Sequence, residues 1–163
     1  IRDRDVTGVQ TCALPIFHIK EPLAPVFERY VAPVVQPGDW LAVASSVGVD
    51  LTDHRSSPVE SLVDSGDLFI AMTADHIRDL AVSFPRLLGR LVTLGDAVRR
   101  VESGTVAADV RAVLVGEQRA ADVLRARGDH DVTDPFSRSG RQQQAVAAQI
   151  VSLCERLAVG WPS

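Results

Sequence analysis

At 163 residues, 46% of them apolar, the chain has the size of one domain, and a body this large buries roughly 70% of its unfolded surface. Its net charge of −4, without a basic cluster, gives no support to a nucleic-acid or anionic-membrane partner. No apolar run approaches the ~18 residues of a membrane span, and two cysteines make no disulfide framework, so a reducing cytoplasm is the expected compartment.

The first stretch is unlike the rest. Val6-Thr7-Gly8-Val9-Gln10-Thr11-Cys12-Ala13-Leu14-Pro15-Ile16 resembles, residue for residue, one reading frame of a common short-read sequencing adapter. Ile1-Arg2-Asp3 matches the adapter's upstream bases, Arg4-Asp5 has the length of a six-base index, and Phe17 has the codon start the frame requires. Residues 1–16 are therefore expected to be adapter-derived, ahead of a body over 17–163, and are set aside from fold reasoning. On that reading Cys12 is no nucleophile and Pro15 no structural turn.

Phe17 to Val34 is the least readable part of the body. Pro37-Gly38 reads as a turn, and Trp40 to Val47 as a helix ended by Gly48 or as a strand, with periodicity not deciding. Ser57-Pro58-Val59-Glu60 carries serine, proline and glutamate where a capping box wants them. A short helix is expected behind it, with Val59, Leu62 and Val63 inward and Ser65-Gly66 as its stop.

Asp67 to His76 is the strongest signal. Leu68 to Met72 is five apolar residues long, the length and all-round hydrophobicity of a strand buried on both faces. Thr73 offers a capping hydroxyl, and Ile77, Leu80 and Ala81 recur at helical spacing until Phe84-Pro85. A strand running straight into a helix is half of a βαβ unit. In an open parallel sheet, ligands sit at the carboxyl ends of the strands, which places Met72 to His76 near any active site. A second strand is expected over Arg90 to Leu94 and a helix over Asp96 to Val101. Another helix is expected from Val106 to Arg127, then a polar loop from Gly128 to Ser137. The last helix, Gln142 to Ala158, buries Val146, Ile150, Leu153 and Leu157 on one face. This alternation predicts an α/β layered domain with a parallel sheet.

Few residues in this order carry chemistry. Asp134 precedes Pro135 in a loop with Asp129 and Asp131; proline pushes the residue before it towards extended backbone, and a carboxylate held there suits a general acid, although Asp-Pro is also an ordinary turn signal. His54, His76 and His130 lack the spacing of metal ligands. Cys154 reads as a small core residue on the last helix. Ser45-Ser46 and Ser56-Ser57 lack the glycines of a nucleophile elbow, and no Gly-rich phosphate loop is present.

Three groups of residues in order resemble the low-molecular-weight protein tyrosine phosphatases, in the variety common in actinobacteria. They are Gly48-Val49-Asp50-Leu51 with His54-Arg55-Ser56; Asp67-Leu68 leading to Ala71-Met72-Thr73 and His76; and Asp131-Val132-Thr133-Asp134-Pro135-Phe136 before a final helix. The match covers roughly two-thirds of the chain, Gly48 to Leu157. The resemblance implies a three-layer, doubly wound domain with four parallel strands in the order 2-1-3-4. It also implies phosphoester hydrolysis by a cysteine thiolate, needing no metal or cofactor, on a phosphotyrosine protein or small aryl phosphate. By the match Asp134 is the general acid and Phe136 an aromatic wall of the substrate slot.

The nucleophile loop of that family, Cys, five residues, Arg, then Ser or Thr, is missing. Six residues after Cys12 stands His18, and six after Cys154 stands Gly160. The expectation is a family member without its first strand and phosphate loop, inactive as it stands, with Leu68 to Met72 left as an apolar open edge and poorly soluble. Two other classes stay open. One is a non-catalytic binding or regulatory module on a degenerate phosphatase scaffold. The other is an arsenate reductase relative, which Cys154 alone on a buried helix disfavours.

Overall fold

The computed structural model describes residues 17–18, 37–51, 59–64, 68–103, 120–125, 128–135 and 138–159. Residues 1–16, the His54-Arg55-Ser56 group, Ser57-Pro58, Phe136 and most of the expected helix over 106–127 lie outside them. In chain order the elements are β1 (Phe17–His18), α1 (Pro37–Ser46), a 3-10 turn (Val59–Ser61), β2 (Phe69–Ala71) and α2 (Ala74–Ser83). A second 3-10 segment (Pro85–Arg90), β3 (Leu91–Thr93), α3 (Leu94–Glu102), α4 (Ala120–Arg125) and α5 (Gly140–Val159) follow.

The expected strand–helix–strand unit is present. β2 and β3 pair in parallel, with Phe69 opposite Leu91, Ile70 opposite Val92 and Ala71 opposite Thr93. α2 and the second 3-10 segment make the crossover. α2 stops because Pro85 has no amide to donate and holds Phe84 out of helical geometry, at φ −135° and ψ 73°. The Phe84 amide still closes the last turn on the Leu80 carbonyl, at 2.7 Å.

The all-apolar run follows from helices on both faces of the sheet. Leu68, Ile70 and Met72 pack with Val92 against Leu94 and Val98 of α3 and Val146, Ile150 and Leu157 of α5. Phe69 and Ala71 point the other way and meet Leu91, Leu87 and Val63 together with Ile77, Leu80 and Ala81 of α2 and Val123 of α4. Each residue from Leu68 to Met72 is at most 1% exposed, so neither face of the strand could carry a polar side chain. Helix, sheet and helix form layers in an α/β arrangement. Among the described residues the parallel part of the sheet is these two strands.

Several boundaries differ from the sequence reading. Pro37 and Gly38 open α1 rather than forming a turn, because proline at a helix start loses no bond. Trp40 to Val47 resolves as helix up to Ser46, and Gly48, at φ 81°, terminates it in a left-handed conformation. There the Val49 amide reaches back to the Ala44 carbonyl and the Gly48 amide to that of Ser45. The helix expected after Ser57 is a single 3-10 turn, although Val63 is fully buried and Val59 and Leu62 partly so, as the pattern required. α5 begins at Gly140, two residues earlier than Gln142, because Ser139 and Gln142 form half of a capping box: the Ser139 amide donates to Gln142 Oε1 at 3.1 Å.

The free edge of β2 also differs from expectation. Phe17 and His18 pair with it in the antiparallel sense, Phe17 opposite Ile70 and His18 opposite Phe69, giving the order β1-β2-β3. That edge is thus covered over two residues.

Candidate functional site at the carboxyl edge of the sheet

β2 and β3 end alike. Each runs into a threonine that caps the helix behind it: Thr73 Oγ1 accepts the His76 amide at 3.2 Å, and Thr93 Oγ1 accepts the Asp96 amide at 3.1 Å. Only the first of these caps was legible in the sequence, because the apolar run around Thr93 hides the point where strand becomes helix. The two helix N-termini therefore stand side by side at the carboxyl ends of parallel strands, where α/β sheets bind ligands.

The polar loop over 128–135 docks there. The Val132 amide donates to the Met72 carbonyl at 2.9 Å, and the Val132 side chain enters the core at 2% exposure. Asp131 Oδ1 accepts the Ala74 amide at 2.8 Å, taking one of the donors that the first turn of α2 leaves unpaired. Further back, the His130 backbone lies against Gly95 in the first turn of α3, so close that a Cβ at that position would overlap the His130 carbonyl oxygen. One loop thus touches the start of both helices.

His76 sits half-buried in the first turn of α2, with Nδ1 2.7 Å from Thr73 Oγ1. Burial lowers its pKa from the ordinary 6.5, while the carboxylates of Asp79 and Asp75 on its own helix and of Asp131 and Asp134 on the loop oppose that shift. With the ring neutral, the Thr73 hydroxyl donates to Nδ1 while accepting the His76 amide. An imidazole and two loop carboxylates therefore share one electrostatic neighbourhood. Such a set can give, take or pass a proton.

Asp134, expected as an acid, is exposed on this loop two residues beyond the anchored Val132. Phe136 lies outside the described residues. Cys154 packs against the apolar core on α5, where burial pushes its thiol up to about 12, far from the reactive range. No three His, Cys, Asp or Glu side chains among the described residues are grouped to hold a metal ion. No described helix is long and apolar enough to cross a membrane. Sequence reading treated His76 and His130 as scattered and Asp131 as one of several loop acids; the fold brings all three to one edge. The sequence shows Asp131 and Asp134 in one loop but carries no signal that Asp131 accepts the Ala74 amide.

No protein-family model, no curated protein and no solved structure matches the chain.

Proposed function

We propose that the chain carries the body of a low-molecular-weight protein tyrosine phosphatase-like domain, with Asp134 as the general acid of phosphoester hydrolysis. The supporting observation is the docking of the Asp131–Pro135 loop across the carboxyl ends of β2 and β3, through the bonds from Val132 to Met72 and from Ala74 to Asp131. A proton donor for a leaving oxygen has to stand at that end of a parallel sheet, where a phosphoryl group would meet the helix N-termini. In this reading the complete sheet has four parallel strands in the order 2-1-3-4 and is doubly wound, β2 and β3 being its third and fourth, and its first strand takes the edge of β2 on which Phe17 and His18 pair here. The chain contains no Cys-x5-Arg sequence. Its own polypeptide is inactive on phosphoesters, and the nucleophile belongs to a segment this sequence does not contain.

The test is a chimera. A strand followed by a Cys-x5-Arg-Ser loop is joined ahead of Phe17, and hydrolysis of p-nitrophenyl phosphate is measured beside that of the chain itself. The chimera turns over and the chain does not. Asp134→Asn lowers chimera turnover about 10²- to 10⁴-fold, the usual weight of general acid catalysis. Equal turnover with and without Asp134 would remove the acid from the scheme.

The missing nucleophile favours a second reading, a non-catalytic module that binds a partner on the same scaffold. A continuous reading frame in the source DNA upstream of Phe17, lacking any cysteine loop, decides for that module.

A further inference from the structure

We infer that Asp131 is the positioning residue of the loop: its carboxylate, bonded to the Ala74 amide, latches residues 128–135 onto the sheet edge and so determines where Asp134 stands. The inference deepens the phosphatase reading, on which the purpose of Asp134 rests; the latch itself does not depend on it.

The latch is braced by its own turn. The Asp131 amide donates to the Gly128 carbonyl at 3.1 Å, folding 128–131 into a turn. Gly128 lies directly against the Asp131 carboxylate, where a Cβ would overlap Oδ2. The side chain is therefore held in place by its own turn, with Oδ1 free to meet the Ala74 amide. Aspartate suits that place because the first turn of a helix attracts negative charge. One residue on, Val132 is fixed by its amide and its buried side chain. Asp134 is two residues further, a span of at most about 7 Å, and Pro135 narrows its backbone to extended forms. With the latch closed, Asp134 has little freedom about the start of α2. With the latch open, Val132 and the His130 backbone against Gly95 still anchor the loop, but the carboxylate no longer ties it to the start of α2.

His76 reports on this geometry. The charged groups around it are Asp75 and Asp79 on α2 and Asp131 and Asp134 on the loop, with Arg78 paired to Asp75. The full chain is titrated by NMR, following the His76 ring signal, assigned by its loss in His76→Gln. Asp134→Asn lowers the His76 midpoint in the wild-type background, because a carboxylate favouring the imidazolium is gone. In Asp131→Ala, adding Asp134→Asn moves the midpoint less than it does in wild type, since the stretch beyond Val132 is no longer held to the start of α2. In Asp131→Asn, which keeps the accepting oxygen, the effect of Asp134→Asn returns. This coupling is independent of global stability, so a merely structural role for Asp131 leaves it unchanged. An Asp134→Asn shift in Asp131→Ala equal to that in wild type overturns the inference. Should Asp131→Ala not fold, Asp131→Glu replaces it: its longer arm displaces the loop and shrinks the Asp134→Asn shift, and an undiminished shift overturns the inference. A chimera whose turnover ignores Asp134 would instead defeat the phosphatase reading and leave these titrations standing.

Discussion

The β2–α2–β3 unit and the 128–135 loop meet at one edge but are held by different forces. The unit is a dense apolar object: Leu68 through Met72 and Leu91, Val92 and Leu94 are all within 1% of full burial. The loop is held by one buried valine, a backbone bond, a carboxylate on a helix start and a steric fit against Gly95. Burial on both faces fixes a register that cannot slip without turning apolar side chains into the opposite layer. A few polar bonds at an exposed edge fix a position that can be changed one residue at a time. Chemistry placed on the second kind of structure can be varied without dismantling the first.

The contrast breaks most severely from the core side. Ile70→Ala is expected to cost about 2–5 kcal/mol, the range for emptying a fully buried aliphatic site. A urea midpoint close to wild type would mean that the two faces are not packed as described. Gly95→Ala should act on the loop and spare the unit. The new methyl group overlaps the His130 backbone, and a displaced loop is expected to cost about 1–3 kcal/mol, as overpacking does. Hydrogen exchange then quickens at Val132 while the β2 and β3 amides stay protected; equal loosening in both would erase the distinction.

Acid should sharpen it further. Burial lowers the pKa of His76 below its unfolded value of 6.5, so below that pH the unfolded chain binds the extra proton first. Stability is full above pH 6.5 and falls as the pH drops through 6.5 towards the folded value, where the loss levels off. Thermal melts across this window should show the slope in wild type and a flatter line in His76→Gln; a slope of the opposite sign would mean that the four carboxylates outweigh burial. The smallest effect is expected far from the edge. Arg156 of α5 holds Glu102 of α3 in a two-pronged pair, 2.7 Å on each arm, but both side chains are nearly half exposed. Solvent screens such pairs, and Glu102→Gln should shift the melting temperature least of these variants.

What the sequence revealed follows the same division. β2, α2 and α5 were legible because burial writes itself as a run or a helical stripe, and Val146, Ile150 and Leu157 stand where the stripe put them, while Leu153 is only partly buried. Two boundaries were missed where backbone chemistry outranks hydrophobicity: Pro37 opens a helix, and Thr93 ends a strand inside an apolar run. The Asp134 loop was legible as a loop. That Asp131 grips Ala74, 57 residues earlier in the chain, was not, because a hydrogen bond across such a separation leaves no periodicity to read. The two-residue β1 was equally hidden, being too short to form a pattern.

The parallel pairing of β2 and β3 has a further, electrical consequence. Strands that run the same way launch α2 and α3 from the same edge, so both helices direct the positive ends of their peptide dipoles there, each equivalent to roughly half an elementary charge. An antiparallel pair would have sent one of these ends to the opposite side of the sheet. Asp75 and Asp96 lie in the first turns of the two helices and Asp131 sits on the Ala74 amide. A chain of net charge −4 thus gathers acids where its own backbone is positive. At this edge, their negative charge is counterbalanced by the fold itself.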